Sequence, residues 1–177
     1  DKISASFKNL IDNLNGTEIF IATTAPTIGS YSIESISDEM HFDSDKYYLN
    51  AGDTVKIKVT FSEKVGVVGT SVLSLNSGEN AVYLSNIDDK TLIYEYKVVA
   101  GTASPLSILQ NVYPTNIQDD AGNTLNAGLS ETILKYNSKN IVIDTTEPAT
   151  PTVSIAGNSN ASSFTQSVGM TIGGTEG

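Results

Sequence analysis

The sequence contains no cysteine, no tryptophan and no arginine, and it has a single histidine, His41. Each absence closes a class of function. Without cysteine there is no disulfide framework, no thiol nucleophile and no cysteine-built zinc site. Any serine–histidine–aspartate arrangement would have to pass through His41. Ten lysines stand against 20 Asp+Glu, giving a formal net charge of -10. Nucleic-acid binding needs a basic face and draws heavily on arginine for base reading, so it is excluded as a main function. No apolar run approaches the ~20 residues of a spanning helix, which argues against membrane insertion. The absence of cysteine suits an exported bacterial protein that does not rely on oxidative folding.

What is present points to β-structure. The chain is 177 residues long and 39% hydrophobic, enough to build a core. Ile19-Phe20-Ile21-Ala22-Thr23-Thr24-Ala25-Pro26 is echoed 122 residues later by Ile141-Val142-Ile143-Asp144-Thr145-Thr146-Glu147-Pro148. Each copy is a β-branched run closed by Thr-Thr-x-Pro. Proline cannot donate to a sheet ladder, so each reads as a strand handing over to a linker. Between the copies, Asp53 to Phe61 alternates, with Val55, Ile57, Val59 and Phe61 on one face and Thr54, Lys56, Lys58 and Thr60 on the other. That period predicts a half-buried antiparallel strand after an Asn50–Asp53 turn. Val72–Leu75 predicts a short strand closed by Asn76-Ser77-Gly78. Ala81–Ser85 and Thr91–Val99 predict a hairpin around Asn86–Asp89. Pro105–Val112 and Ile133–Ile143 supply further strands. About seven short strands over this length predict an all-β, two-sheet antiparallel sandwich.

The two ends read as parts of neighbouring units. Thr17–Thr23 is expected to be the last strand of a preceding repeat. Residues 3–14 carry Ile3, Phe7, Leu10, Ile11 and Leu14 at helical spacing. After Pro148, Pro151–Ile155 and Ser167–Ile172 read as the first strands of a following unit. The expected division is residues 1–24, 25–146 and 147–177, with strands of flanking repeats on both sides of one complete domain.

Gly52-Asp53-Thr54-Val55 through Phe61-Ser62-Glu63, then Asp120-Ala121-Gly122-Asn123, then Ile141–Pro148, in that order, resemble the tandem bacterial Ig-like repeats of giant surface adhesins exported by type 1 secretion. The resemblance implies an Ig-like β-sandwich serving as a stalk unit, often with Ca²⁺ at the junctions between repeats. In an Ig-like order, Glu63, Asp119, Asp120 and Asn123 would gather where the chain enters the domain, and Asp144 would face the next repeat, with Glu147 beside it. Ca²⁺ takes six to eight oxygens, so these residues are the candidate metal ligands. Position 22, where the pattern implies an aspartate, is alanine. Asp-Ala-Gly-Asn is also an ordinary turn sequence without a metal, in which aspartate bonds its own backbone and glycine takes positive φ.

Other features have plainer readings. Asp38, Glu39, Asp43 and Asp45 around His41 read as a charged loop before an edge strand. Tyr47, Tyr48, Tyr83, Tyr94 and Tyr96 would be either a sugar-stacking row or core and cross-strand pairs. The expected function is a non-catalytic spacer of a bacterial cell-surface adhesin. It would lie outside the cell, its partners being neighbouring Ig-like repeats or copies of itself, with a host or surface receptor engaged by other domains. The alternatives are a filament subunit joined by strand exchange and a carbohydrate-binding module.

Overall fold

A computed structural model describes residues 22–99, 101–103 and 105–150. The expected strands at 151–155 and 167–172 and the helical pattern at 3–14 lie outside the described residues, as does most of Thr17–Thr23. The chain divides into two compact units, with the boundary between Thr146 and Glu147.

The first unit is an all-β sandwich. Its strands are β1 (Ile28–Ile36), β2 (Lys46–Leu49), β3 (Thr54–Phe61), β4 (Gly66–Val67), β5 (Val72–Ser74), β6 (Asn80–Asp88) and β7 (Thr91–Lys97), followed by β8 (Thr102–Ala103), β9 (Ser107–Ile108), β10 (Ile117–Gln118), β11 (Thr132–Ile133), β12 (Lys135–Tyr136) and β13 (Lys139–Asp144). One sheet has the order β1-β3-β7-β6-β5. Facing it, β12-β13-β2 forms a second sheet, with β8 also pairing β13, and the short pairs β10·β4 and β11·β9 extend the fold.

The alternation in β3 is realised along its whole length. Val55, Ile57, Val59 and Phe61 are buried, while Thr54, Lys56, Lys58 and Thr60 stay half-exposed. The inward side chains join Leu92, Tyr94 and Tyr96 of β7, and across the sandwich Leu49, Leu106, Ile108, Ile141 and Ile143, in one apolar core. Tyr94 carries its hydroxyl into this core and meets Ser71 Oγ at 2.7 Å; burial pushes the phenol up to about 12. On the outer face Lys58 pairs with Glu34.

Two sequence readings change. Pro105–Val112 is not one strand: only Ser107–Ile108 pairs, and Asn111 turns the chain away with a positive φ of 61°. Leu106 explains the placement. Its N–H donates to Ile141 O and its carbonyl accepts from Leu134 N, so a single residue is held between two neighbours. Nor is every pairing antiparallel. β1 runs antiparallel to β3, but the chain then crosses to the other sheet, where β2 runs parallel to β13 from Lys46↔Asn140 to Leu49↔Ile143. Between β12 and β13, Asn137 and Ser138 both take positive φ, as a tight type I′ hairpin turn requires.

The β3 pattern makes a direct prediction. Ile57→Ala is expected to lower unfolding stability by about 2–5 kcal/mol, because it opens a cavity in a closed core. Lys58→Ala, one residue away on the outer face, is expected to cost less than about 1 kcal/mol. Urea denaturation followed by tyrosine fluorescence separates the two.

Candidate functional site

The hydrogen bonds of β1 and β13 place the two ends of the unit. Thr27 N–H donates to Ser62 Oγ and Ser62 N–H to Thr27 O, so the chain enters beside the end of β3. Thr145 and Gly101 bond each other through backbone and hydroxyl, so the chain leaves near Val98, whose N–H donates to Asp53 O before the start of β3. The leading and trailing ends are therefore separated by the length of β3, an eight-residue strand spanning about 25 Å.

Three loops meet at the leading end. Ser62–Lys64 follows β3, the β6–β7 turn runs through Asp89 and Lys90, and Asp119–Asn123 follows β10. Phe61 N–H donates to Lys90 O and Val65 N–H to Asp89 O, which ties the first two together. Ala22, Glu63, Lys64, Asp119, Asp120 and Ala121 line a shared cavity of about 270 Å³. Glu63, Asp119 and Asp120 are thus brought to one place, as the Ig-like order implies.

Within this group each acid has its own environment. Asp119 is only 6% exposed. Its Oδ1 accepts the N–H groups of Ala121 (2.9 Å) and Asn123 (2.8 Å), and its Oδ2 accepts Asn123 Nδ2 (2.7 Å). The Asn123 side chain, helped by those backbone N–H groups, holds the carboxyl below its ordinary value of 3.8. The carboxylate that organises the turn is therefore Asp119, one residue before the Asp-Ala-Gly-Asn string, and Gly122 supplies the positive φ of 88°. Asp120 points outward and pairs with Lys64 Nζ at 2.8 Å. Asn123 Nδ2 also reaches Ala22 O at 3.1 Å, a bond from the domain to its incoming linker across 101 residues.

As a calcium site this arrangement fits poorly. Asp119 directs both oxygens into its own loop, Asp120 is held by an ammonium, and the side chain at position 22 is a methyl group. Among the described residues no three acidic or histidine side chains converge closely enough to hold an ion. At the trailing end Asp144 is exposed and its Oδ1 accepts Thr146 N–H at 3.0 Å. Glu147 opens the second unit and is exposed.

No protein-family model matches the chain, and comparisons with curated proteins and with solved structures find no match.

The remaining candidates resolve into structure. His41 Nδ1 lies 2.5 Å from Asp38 Oδ2, which gives the lone imidazole a partner that sequence reading did not name. That contact, with backbone N–H groups, holds Asp38 below its ordinary value. Asp43 accepts the Tyr48 hydroxyl at 2.7 Å and backbone N–H groups, which bring it down to about 2. Lys139 Nζ bridges the carbonyls of Asp43 and Ser44, and Tyr136 donates its hydroxyl to Glu39. The acidic run is a loop fastened to β12 and β13 next to β2, at the edge of its sheet. Tyr47, Tyr94 and Tyr96 are buried, and Tyr83 packs edge-to-face on Tyr94 with ring centroids 6.0 Å apart. These four rings make core and cross-strand pairs, while Tyr48 is exposed and donates its hydroxyl to Asp43. Lys64 is the residue that sequence analysis passed over, although it directly follows Glu63 in a loop already expected to meet Asp120.

The Asp119 turn gives a pH prediction. A carboxyl whose folded value lies below its unfolded one adds stability above the unfolded value. That contribution is lost as pH falls through the folded value, below 3.8. Asn123→Ala is accordingly expected to lower the melting temperature at pH 7, with the gap to wild type narrowing below pH 3.8. Scanning calorimetry at neutral and acid pH checks both halves.

Proposed function

We propose that this chain is a non-catalytic spacer, a repeat unit of an extracellular bacterial adhesin-like protein that transmits tension from one neighbour to the next. The observation that carries this reading is the placement of the chain ends at opposite ends of β3, combined with parallel pairing of β2 and β13. Tension applied at the two ends runs along the strands. The four residue pairs from Lys46↔Asn140 to Leu49↔Ile143 are then loaded together in shear, and so is the β1–β3 ladder. A ladder loaded in shear must lose its bonds together, whereas one pulled open from an end loses them singly.

The leading end adds a second support. Asn123 holds the incoming linker at Ala22, and Pro26 is buried just before β1. A linker pinned in this way limits swivelling between units. The acidic surface keeps extended chains soluble and mutually repelling.

Single-molecule pulling of the 177-residue chain by its ends tests the reading. The sandwich is expected to resist as one high-force event. Val142→Pro removes a donor from β13, which lies between two partners, and is expected to lower that force clearly. A wild-type sandwich that opens in small low-force steps, or an unchanged force in Val142→Pro, would speak against a load-bearing role.

A further inference from the structure

The poor fit of calcium at the leading end has a positive counterpart in Lys64. The cavity there is lined by three carboxylates, Glu63, Asp119 and Asp120, with one cationic side chain among them. Lys64 Nζ joins the loop after β3 to the loop after β10, across 56 residues of sequence, at 2.8 Å from Asp120 Oδ2. We infer that the Lys64 ammonium is a tethered counter-cation which takes the charge position between these loops, so that the leading end is held together without a metal ion.

Two observations bear on this. The ammonium sits on Asp120, the most outward of the acids and the one whose oxygens are not used by its own turn. Among the described residues the incoming linker contributes the Ala22 carbonyl to Asn123 and no charge. A cation entering the cavity would have to displace Lys64 from Asp120 and then share the space with a freed ammonium. A lysine on a flexible four-carbon stem suits this role, since it follows small movements of the two loops without imposing a fixed coordination geometry. The joint would keep its stiffness when calcium falls, and the lysine side chain is 57% exposed, so its replacement leaves the core intact.

The consequence for a joint rests on the spacer reading, but ion binding is measured separately from mechanical strength, so either can fail alone. The test is calorimetric melting of the full chain in calcium and in EDTA, with backbone amide NMR shifts recorded in parallel. Wild type is expected to melt at the same temperature in both. Lys64→Gln removes the cation from the cavity lining and frees Asp120 to turn toward Glu63 and Asp119, and is expected to gain a calcium-dependent rise. With calcium at about ten times the dissociation constant, that rise is about 3–6 °C for a domain of this size. The shifted amides should include Glu63 and Asp119–Asn123. Lys58→Gln, which removes the same charge from the outer face of β3, is expected to gain nothing. A saturable calcium response of the wild type at Asp119–Asn123 would overturn the inference. So would a Lys64→Gln variant that ignores calcium, or a Lys58→Gln variant that responds equally.

Discussion

The sandwich depends on one strand. β3 pairs with β1 on one side and β7 on the other, and its four inward side chains are the centre of the core. Everything else takes its position from there. Phe61, at one end of β3, passes directly into the loop that carries Glu63 and Lys64. Asp53, at the other end, bonds Ser37 and Val98 and so fixes where β1 finishes and where the chain approaches its exit. Burying a strictly alternating strand between two partners also fixes its register, because a one-residue slip would turn Lys56 and Lys58 into the core.

From this centre the chain first reaches the second sheet by the crossing after β1. If β1 continued along β3, β13 would have no parallel partner and would lie at an open edge. Instead the chain leaves the first sheet after Ile36, passes through the acidic loop and returns as β2 alongside β13. Lys139 and Tyr136 hold that loop from the β12–β13 hairpin, so the crossing is fastened at two points. The acidic run is therefore part of the strand switch. The leading-end charge is a separate matter, in which turn geometry uses Asp119 and loop-to-loop contact uses Asp120. Two adjacent aspartates thus do different jobs because one is enclosed by its own turn and the other faces outward.

Much of the first sheet was legible in the residues. The alternation of β3, the hairpin of β6 and β7 and the turn at Asn76–Gly78 are local patterns, and local patterns survive without tertiary information. The second sheet was legible only in part: an edge strand after the acidic run and strands within Ile133–Ile143 were expected, but their parallel pairing was not, for a physical reason. Its segments are two to six residues long, and partners from far along the chain decide them. Leu106 is held between Ile141 and Leu134, and Lys46–Leu49 finds its partner in β13, far along the chain. At the leading end, residue types and chain order were enough to bring Glu63, Asp119 and Asp120 together. They were not enough to show that Asp119 would close its own turn or that Lys64 would reach Asp120. Those outcomes depend on side-chain direction across 56 residues, which no spacing rule contains.

The central claim is that the chain crosses the unit from end to end, entering beside Ser62 and leaving beside Gly101. The lack of cysteine makes this directly measurable, because two introduced cysteines are the only sites a thiol-reactive spin label can take. Thr24→Cys and Thr146→Cys are both exposed positions just outside the first and last strands. Pulsed dipolar spectroscopy of the doubly labelled chain should give one narrow distance distribution centred at or beyond the length of β3, about 25 Å or more. A distribution centred well below about 20 Å would put both ends on the same side of the sandwich and contradict the account.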